Sequence, residues 1–105
     1  MKNNSYTVAV LGAGNIGSAV ISRLLHLDNE VININLSKVL VSDSTKDRDF
    51  DSNLVTEDFN EIANDENIDL VIEVLGGVEP GKEYIKELLQ KGKSVITANK
   101  DIIAD

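Results

Sequence analysis

Three glycines in the 105-residue chain have a spacing that could do chemistry. Gly12-Ala13-Gly14-Asn15-Ile16-Gly17 reads G-x-G-x-x-G, a pattern that lets bare backbone meet an anionic diphosphate. Gly12 is expected to turn the chain sharply, and Gly14 to leave room for a pyrophosphate to reach the backbone. Gly17 is expected to let a helix pack close to the preceding strand. The pattern alone is weak evidence, because a tight turn that binds nothing can also need glycine. Here the apolar run Tyr6–Leu11 precedes it, and Gly17, Val20, Ile21 and Leu24 follow at helical spacing. A strand before and a helix after is the context that makes the loop a dinucleotide cradle. Unpaired N–H groups at a helix start face outward with the positive end of the helix dipole behind them. Each such contact is worth about 0.3–1 kcal/mol when exposed and up to about 2 when partly buried. The chain carries a net charge of −8, so local dipoles must hold an anion that the overall charge repels.

A dinucleotide site also calls for an acid after the second strand to bind the adenosine ribose. Asp43 is the candidate, with Ser42 beside it as a second hydrogen-bonding group. Asp43 comes later than usual, and the longer connection from Asp28 to Asn35 accounts for the extra length. An acid here would repel the 2′-phosphate of NADP and so favours NAD, whereas Lys46 and Arg48 are near enough in sequence to attract that phosphate. The competing reading of Asp43 is a loop acid that starts a turn.

The remaining pattern supplies elements to position these groups. Strands are expected at Tyr6–Leu11, Leu36–Ser42 (with an earlier start left open by the alternation from Val31), Ile68–Leu75 and Ser94–Thr97. Helices are expected from Asn15 or Ile16 to His26, from a Thr56 cap to about Ala63, and from Pro80 to Lys91. The last of these carries an apolar stripe of Tyr84, Ile85, Leu88 and Leu89, with Gly92 as its stop. Asp43–Asn53 reads as a surface loop. Strands alternating with helices require crossovers, hence a parallel sheet with helices on its faces: an α/β domain covering residues 1–105.

Composition narrows the function classes. Apolar residues make up 42%, ordinary for a globular domain, and no run approaches the about 20 residues of a membrane span. The negative charge argues against nucleic-acid and membrane partners. No cysteine is present and His26 is the single histidine, which leaves neither a disulfide framework nor a thiolate or histidine metal cluster. A cytoplasmic enzyme or binding module is the expectation.

Two further segments make the reading more specific. Glu73-Val74-Leu75-Gly76-Gly77-Val78-Glu79-Pro80 and Val95-Ile96-Thr97-Ala98-Asn99-Lys100 follow the glycine loop in this order. Together the three segments resemble homoserine dehydrogenases, in which a strand ends in E-V-x-G-G before a proline-started helix and a later strand ends in T-A-N-K. The resemblance covers essentially the whole chain, and T-A-N-K is its most specific part. It implies a Rossmann-type doubly wound parallel sheet and a reversible NAD(P)-dependent reaction between aspartate 4-semialdehyde and homoserine. By position, it puts Gly12, Gly14, Asn15, Ile16 and Gly17 at the pyrophosphate, and Gly76 and Gly77 near the ribose and nicotinamide. Thr97, Ala98 and Asn99 would lie beside the reaction site, and Lys100 matches the family's active-site lysine. Ser42 stands where many members carry an arginine suited to NADP, which slightly favours NAD. The family's substrate-binding and dimer-forming region follows T-A-N-K, so it is expected beyond residue 105, with homo-oligomerisation depending on it and the isolated segment inactive.

The chemistry of Lys100 can be argued from the reaction itself. Hydride delivered to an aldehyde makes an alkoxide, which needs a proton or a positive charge beside it. A lysine could supply either, or bind the substrate carboxylate; proton transfer at neutral pH needs its pKa to fall from about 10.4. The competing reading is a lysine on a solvated helix start. Glu73 interrupts an apolar strand, so it is expected to reach a crevice or a hydrogen-bond partner near the strand's carboxyl end. Two other functions stay open: a nucleotide-sensing regulatory domain that uses the same loop without catalysis, and a related dehydrogenase such as one for aspartate.

Overall fold

The computed structural model describes residues 4–25, 32–48 and 50–98. Five strands and three helices follow in order: β1 Asn4–Leu11, α1 Asn15–Leu25, β2 Ile32–Leu40, β3 Val55–Thr56, α2 Asn60–Ala63, β4 Leu70–Glu73, α3 Gly81–Gln90 and β5 Ser94–Thr97. A short 3-10 turn, Ser52–Leu54, leads into β3. All strand pairs are parallel and the sheet order is β3-β2-β1-β4-β5. This is the doubly wound order, and its direction reverses between β1 and β4. A crevice therefore opens outside the carboxyl ends of these two central strands, where the glycine loop leaves β1.

The apolar run of β1 is continuous because both of its faces are covered. Ala9 and Leu11 join a cluster with Phe59, Ile62, Val71 and Leu88, under α2 and α3. Val10 points the other way, into a cluster with Ile21 of α1 and Val39 of β2. The alternation of side chains along the strand thus feeds two layers of core from one segment.

Several sequence expectations are corrected. β2 takes the earlier start, at Ile32, because pairing with β1 runs back to Asn4↔Ile32 and the ladder carries the intervening asparagines, and it ends at Leu40, before the expected Ser42. Thr56 does not cap a helix: it is buried in β3, where its carbonyl accepts the Val41 N–H at 2.9 Å. Its hydroxyl accepts the Asp58 N–H at 3.0 Å, and Asp58 in turn accepts from the Asn60 N–H at 2.9 Å, so α2, capped at Phe59, begins three residues later than a Thr56 cap would start it. Pro80 sits at the N-cap of α3 after a cis bond from Glu79, just outside its expected place in the first turn. Leu88 of the expected stripe is fully buried and Tyr84 stacks on Phe59, ring centroids 3.9 Å apart, but Leu89 is 56% exposed. At 100° per residue, Leu89 has already rotated past the buried arc. The expected His26 end of α1 lies outside the described residues.

At the other end of the sheet Lys93 is buried, and its Nζ donates to the carbonyls of Asp65 (2.6 Å) and Ile68 (3.2 Å). These bonds tie the turn after α2, in which the Asp65 carbonyl also accepts the Ile68 N–H at 3.2 Å, to the start of β5. No helix among the described residues is long and apolar enough to cross a membrane. Among those residues, no three His, Cys, Asp or Glu side chains are grouped to hold a metal ion.

Candidate functional site

The glycine loop has the geometry its spacing requires. Gly12 has φ +104°, a conformation open to glycine, and its N–H donates to the Leu40 carbonyl at 2.8 Å. The Gly14 carbonyl accepts the Ser18 N–H at 2.7 Å, which starts α1, and the Ser18 hydroxyl donates to the Ala13 carbonyl at 2.9 Å. A Cβ placed on Gly14 would meet nothing within 4 Å, so the approach to this backbone is open. A Cβ on Gly17 would lie 2.5 Å from the Gly12 carbonyl oxygen, so only glycine lets α1 pack this closely. The three glycines thus turn, expose and pack, one role each. The first-turn N–H groups of α1 have no intrahelical acceptor, the arrangement that suits a helix start to an anion.

In front of the loop lies a cleft of about 520 Å³, lined by Gly12 and Gly14, by Ser42, Lys46 and Arg48 beyond β2, and by Glu57, Gly76, Pro80 and Tyr84 among others. A separate cavity of about 500 Å³, lined by Ala63, Lys91 and Lys93 among others, shares no residue with the glycine loop.

A family model of the homoserine dehydrogenase NAD-binding domain matches residues 12–105. The chain belongs to this family. It is 36% identical to the homoserine dehydrogenase of Bacillus subtilis and 40% identical to that of Mycobacterium tuberculosis, each over 92% of the chain. It spans about a quarter of these relatives, 24% and 23% of their length. The Staphylococcus aureus homoserine dehydrogenase structure at pH 7.0 superposes with a TM-score of 0.83 at 36% identity, covering 92% of this chain and 27% of that one. A homoserine dehydrogenase structure from Thiobacillus denitrificans gives 0.85 at 28%, covering 95% and 25%.

In this homoserine dehydrogenase domain the expected site residues divide. Gly12, Gly14, Ser42 and Gly76 line the cleft, and Gly17 supports it from behind. The backbones of Asn15 and Ile16 form the first turn of α1. Gly77, with φ +77°, turns the chain without lining the cleft. Asn99 and Lys100 lie outside the described residues.

Asp43 makes the turn that the competing reading described. Its Oδ1 accepts the Thr45 N–H at 3.0 Å and the Thr45 hydroxyl at 2.5 Å, a turn within its own loop, and it is not among the residues lining the cleft. The Thr45 hydroxyl, then its N–H, hold the Asp43 carboxyl below its ordinary pKa. Glu57 is lowered too, first by the Ser44 N–H and then by the Ser44 hydroxyl, both 2.8 Å from its Oε2. A lowered carboxylate pKa favours the folded loop at neutral pH, and that contribution is lost as pH falls through the lowered values.

Thr97 and Glu73 form a brace. Glu73 is fully buried; its Oε2 accepts the Leu75 N–H at 2.8 Å and its Oε1 the Thr97 hydroxyl at 2.5 Å. The two residues are register partners, and the Ala98 N–H donates to the Glu73 carbonyl at 3.1 Å. Thr97 and Ala98 therefore stay outside the cleft lining and fix the end of β5 from which Asn99 and Lys100 continue. Glu73 meets its hydrogen-bond partners at the strand's carboxyl end, as its place in an apolar strand required.

Sequence reasoning missed Glu57 and Tyr84 as cleft residues. The expected helices place Glu57 just after the Thr56 cap and Tyr84 in an apolar stripe. Glu57 directly follows β3, at the carboxyl edge where such sheets bind ligands, and no sequence signal marks that strand. Tyr84 carries a polar tip on an apolar ring and can serve core and cleft together.

Proposed function

We propose that this chain forms the cofactor half of a homoserine dehydrogenase, working with a substrate-binding half to interconvert aspartate 4-semialdehyde and homoserine. The observation that carries this reading is the Gly12–Gly17 cradle at the switch point of the sheet, in a chain matched by the family's NAD-binding model. The open backbone at Gly14 fits a nicotinamide dinucleotide, which supplies the hydride when bound. The chain's own groups would hold the diphosphate and shape the crevice through the Glu73–Thr97 brace, and Lys100 follows Thr97 by three residues in sequence. Lys100 would give the substrate oxygen a proton or a stabilising charge. A chimera in which residues 1–105 replace the matching segment of the Bacillus subtilis relative is expected to oxidise homoserine. A folded, cofactor-binding chimera without turnover would favour a nucleotide-sensing domain.

For the choice of cofactor, the geometry favours NADP(H) over the NAD suggested by Asp43. One oxygen of that acid accepts both bonds from Thr45, while the cations Lys46 and Arg48 line the cleft beside Ser42. Guanidinium and ammonium groups are the usual partners of a phosphate monoester. Replacing both by alanine is expected to weaken NADPH about 10-fold, roughly 1.4 kcal/mol, and to leave NADH within about 2-fold, read by titration calorimetry. Equal losses for both cofactors would return the preference to NAD.

A further inference from the structure

The loop that carries Lys46 and Arg48 is held from outside itself. Its entry is tied to β3 by the Val41 N–H on the Thr56 carbonyl, at 2.9 Å. The next residue of that wall, Glu57, reaches back into the loop and takes both donors of Ser44, N–H and hydroxyl, on one oxygen. Within the loop Asp43 closes on Thr45, and an Arg48 Nη1 donates to the Lys46 carbonyl at 3.3 Å. The two cations thus follow a short segment tied down at Val41 and at Ser44, with Glu57 as the pin on the cleft side.

We propose that Glu57 is a positioning residue for cofactor choice: by gripping Ser44 it fixes the loop so that Lys46 and Arg48 converge on the 2′-phosphate of NADP(H). The inference rests on the assignment of that phosphate to Lys46 and Arg48. An acid in the same cleft would by charge alone oppose a phosphate, so positioning and charge predict opposite effects when Glu57 is changed. Long cationic side chains lose rotamer freedom when they are held on a ligand, and a loop already ordered reduces that loss. Loss of the grip should therefore be felt by the phosphate and little by the rest of the dinucleotide, which the glycine cradle holds.

The test is titration of the full chain with NADPH, NADH and 2′,5′-ADP. Glu57→Ala is expected to weaken NADPH and 2′,5′-ADP about 5-fold and to leave NADH within about 2-fold. Glu57→Gln keeps an oxygen that accepts both Ser44 donors while it removes the charge, and is expected to bind NADPH at least as well as the parent chain. Ser44→Ala removes one of the two bonds and should shift NADPH in the same sense as Glu57→Ala, but less. Tighter NADPH binding by Glu57→Ala, or equal losses for NADPH and NADH, would overturn the positioning role. If Glu57→Ala leaves NADPH unchanged while the Lys46/Arg48 double variant loses it, the positioning role fails and the phosphate assignment stands. If the parent chain does not prefer NADPH, both fail.

Discussion

Gly14→Asp is expected to weaken dinucleotide binding by at least about 100-fold with no loss of thermal stability. The fold should not notice the substitution, because a Cβ at this position meets nothing within 4 Å. Gly14 also precedes the first helical turn and accepts the Ser18 N–H, and at such a position aspartate is among the better residues. Its carboxylate would lie at the positive end of α1, which is mildly stabilising. The same carboxylate would occupy the space a diphosphate needs and satisfy the N–H groups that should hold it. Two tenfold steps at about 1.4 kcal/mol each are modest for an anion–anion conflict added to the loss of several amide contacts. Calorimetric titration gives the affinity, and thermal denaturation followed by circular dichroism gives the stability. Retained affinity would remove the loop from the binding site.

Gly17→Ala should do the reverse: it should damage the fold first and binding through it. Its Cβ would be 2.5 Å from the carbonyl oxygen and 2.9 Å from the carbonyl carbon of Gly12, and 3.2 Å from Cγ2 of Val74. Two of these neighbours are backbone atoms of the turn itself, so relief requires α1 to move off β1. Overpacking of this kind costs about 1–3 kcal/mol and sometimes more, a large share of the about 5–15 kcal/mol that holds a domain together. In urea denaturation the midpoint should fall, and NADPH binding should weaken in the fraction that stays folded, because the helix start is displaced from the cleft. A variant as stable as the parent chain would mean that α1 does not pack this closely. The pair separates two uses of glycine in one motif: Gly14 matters for what it leaves open, Gly17 for what it allows to touch.

The fold was legible where hydrophobic pattern and turn chemistry agreed. Ser94–Thr97 was read as a strand with the bounds it has, and the loop from Gly12 to Gly17 was read with each glycine in its role. The parallel sheet followed from the alternation of elements, and its doubly wound order from the family resemblance. Val55–Thr56 was not legible, since two residues show no periodicity and the pairing that makes them a strand comes from Val39 and Leu40, distant in sequence. Thr56 has the same hydroxyl in a cap or in a strand, and only the ladder decides. Asp43 shows the same limit at the site. Its place after β2 suits a ribose acid, and a hydroxyl and an N–H two residues on take one oxygen of its carboxylate, a turn the position alone does not announce. Ser42, Lys46 and Arg48 line that end of the cleft, and the convergence proposed for the two cations rests on a grip by Glu57 that no local pattern encodes.

The binding cradle at the start of α1 is tested most directly by following backbone amide resonances of the 105-residue chain during titration with NADPH. Saturable shifts concentrated at Gly12, Gly14, Asn15, Ile16 and Gly17, with weaker ones at Ser42 and Gly76, are the expected result. A folded chain whose amides there stay unmoved at saturating NADPH, or whose shifts gather instead around Lys91 and Lys93, would contradict it.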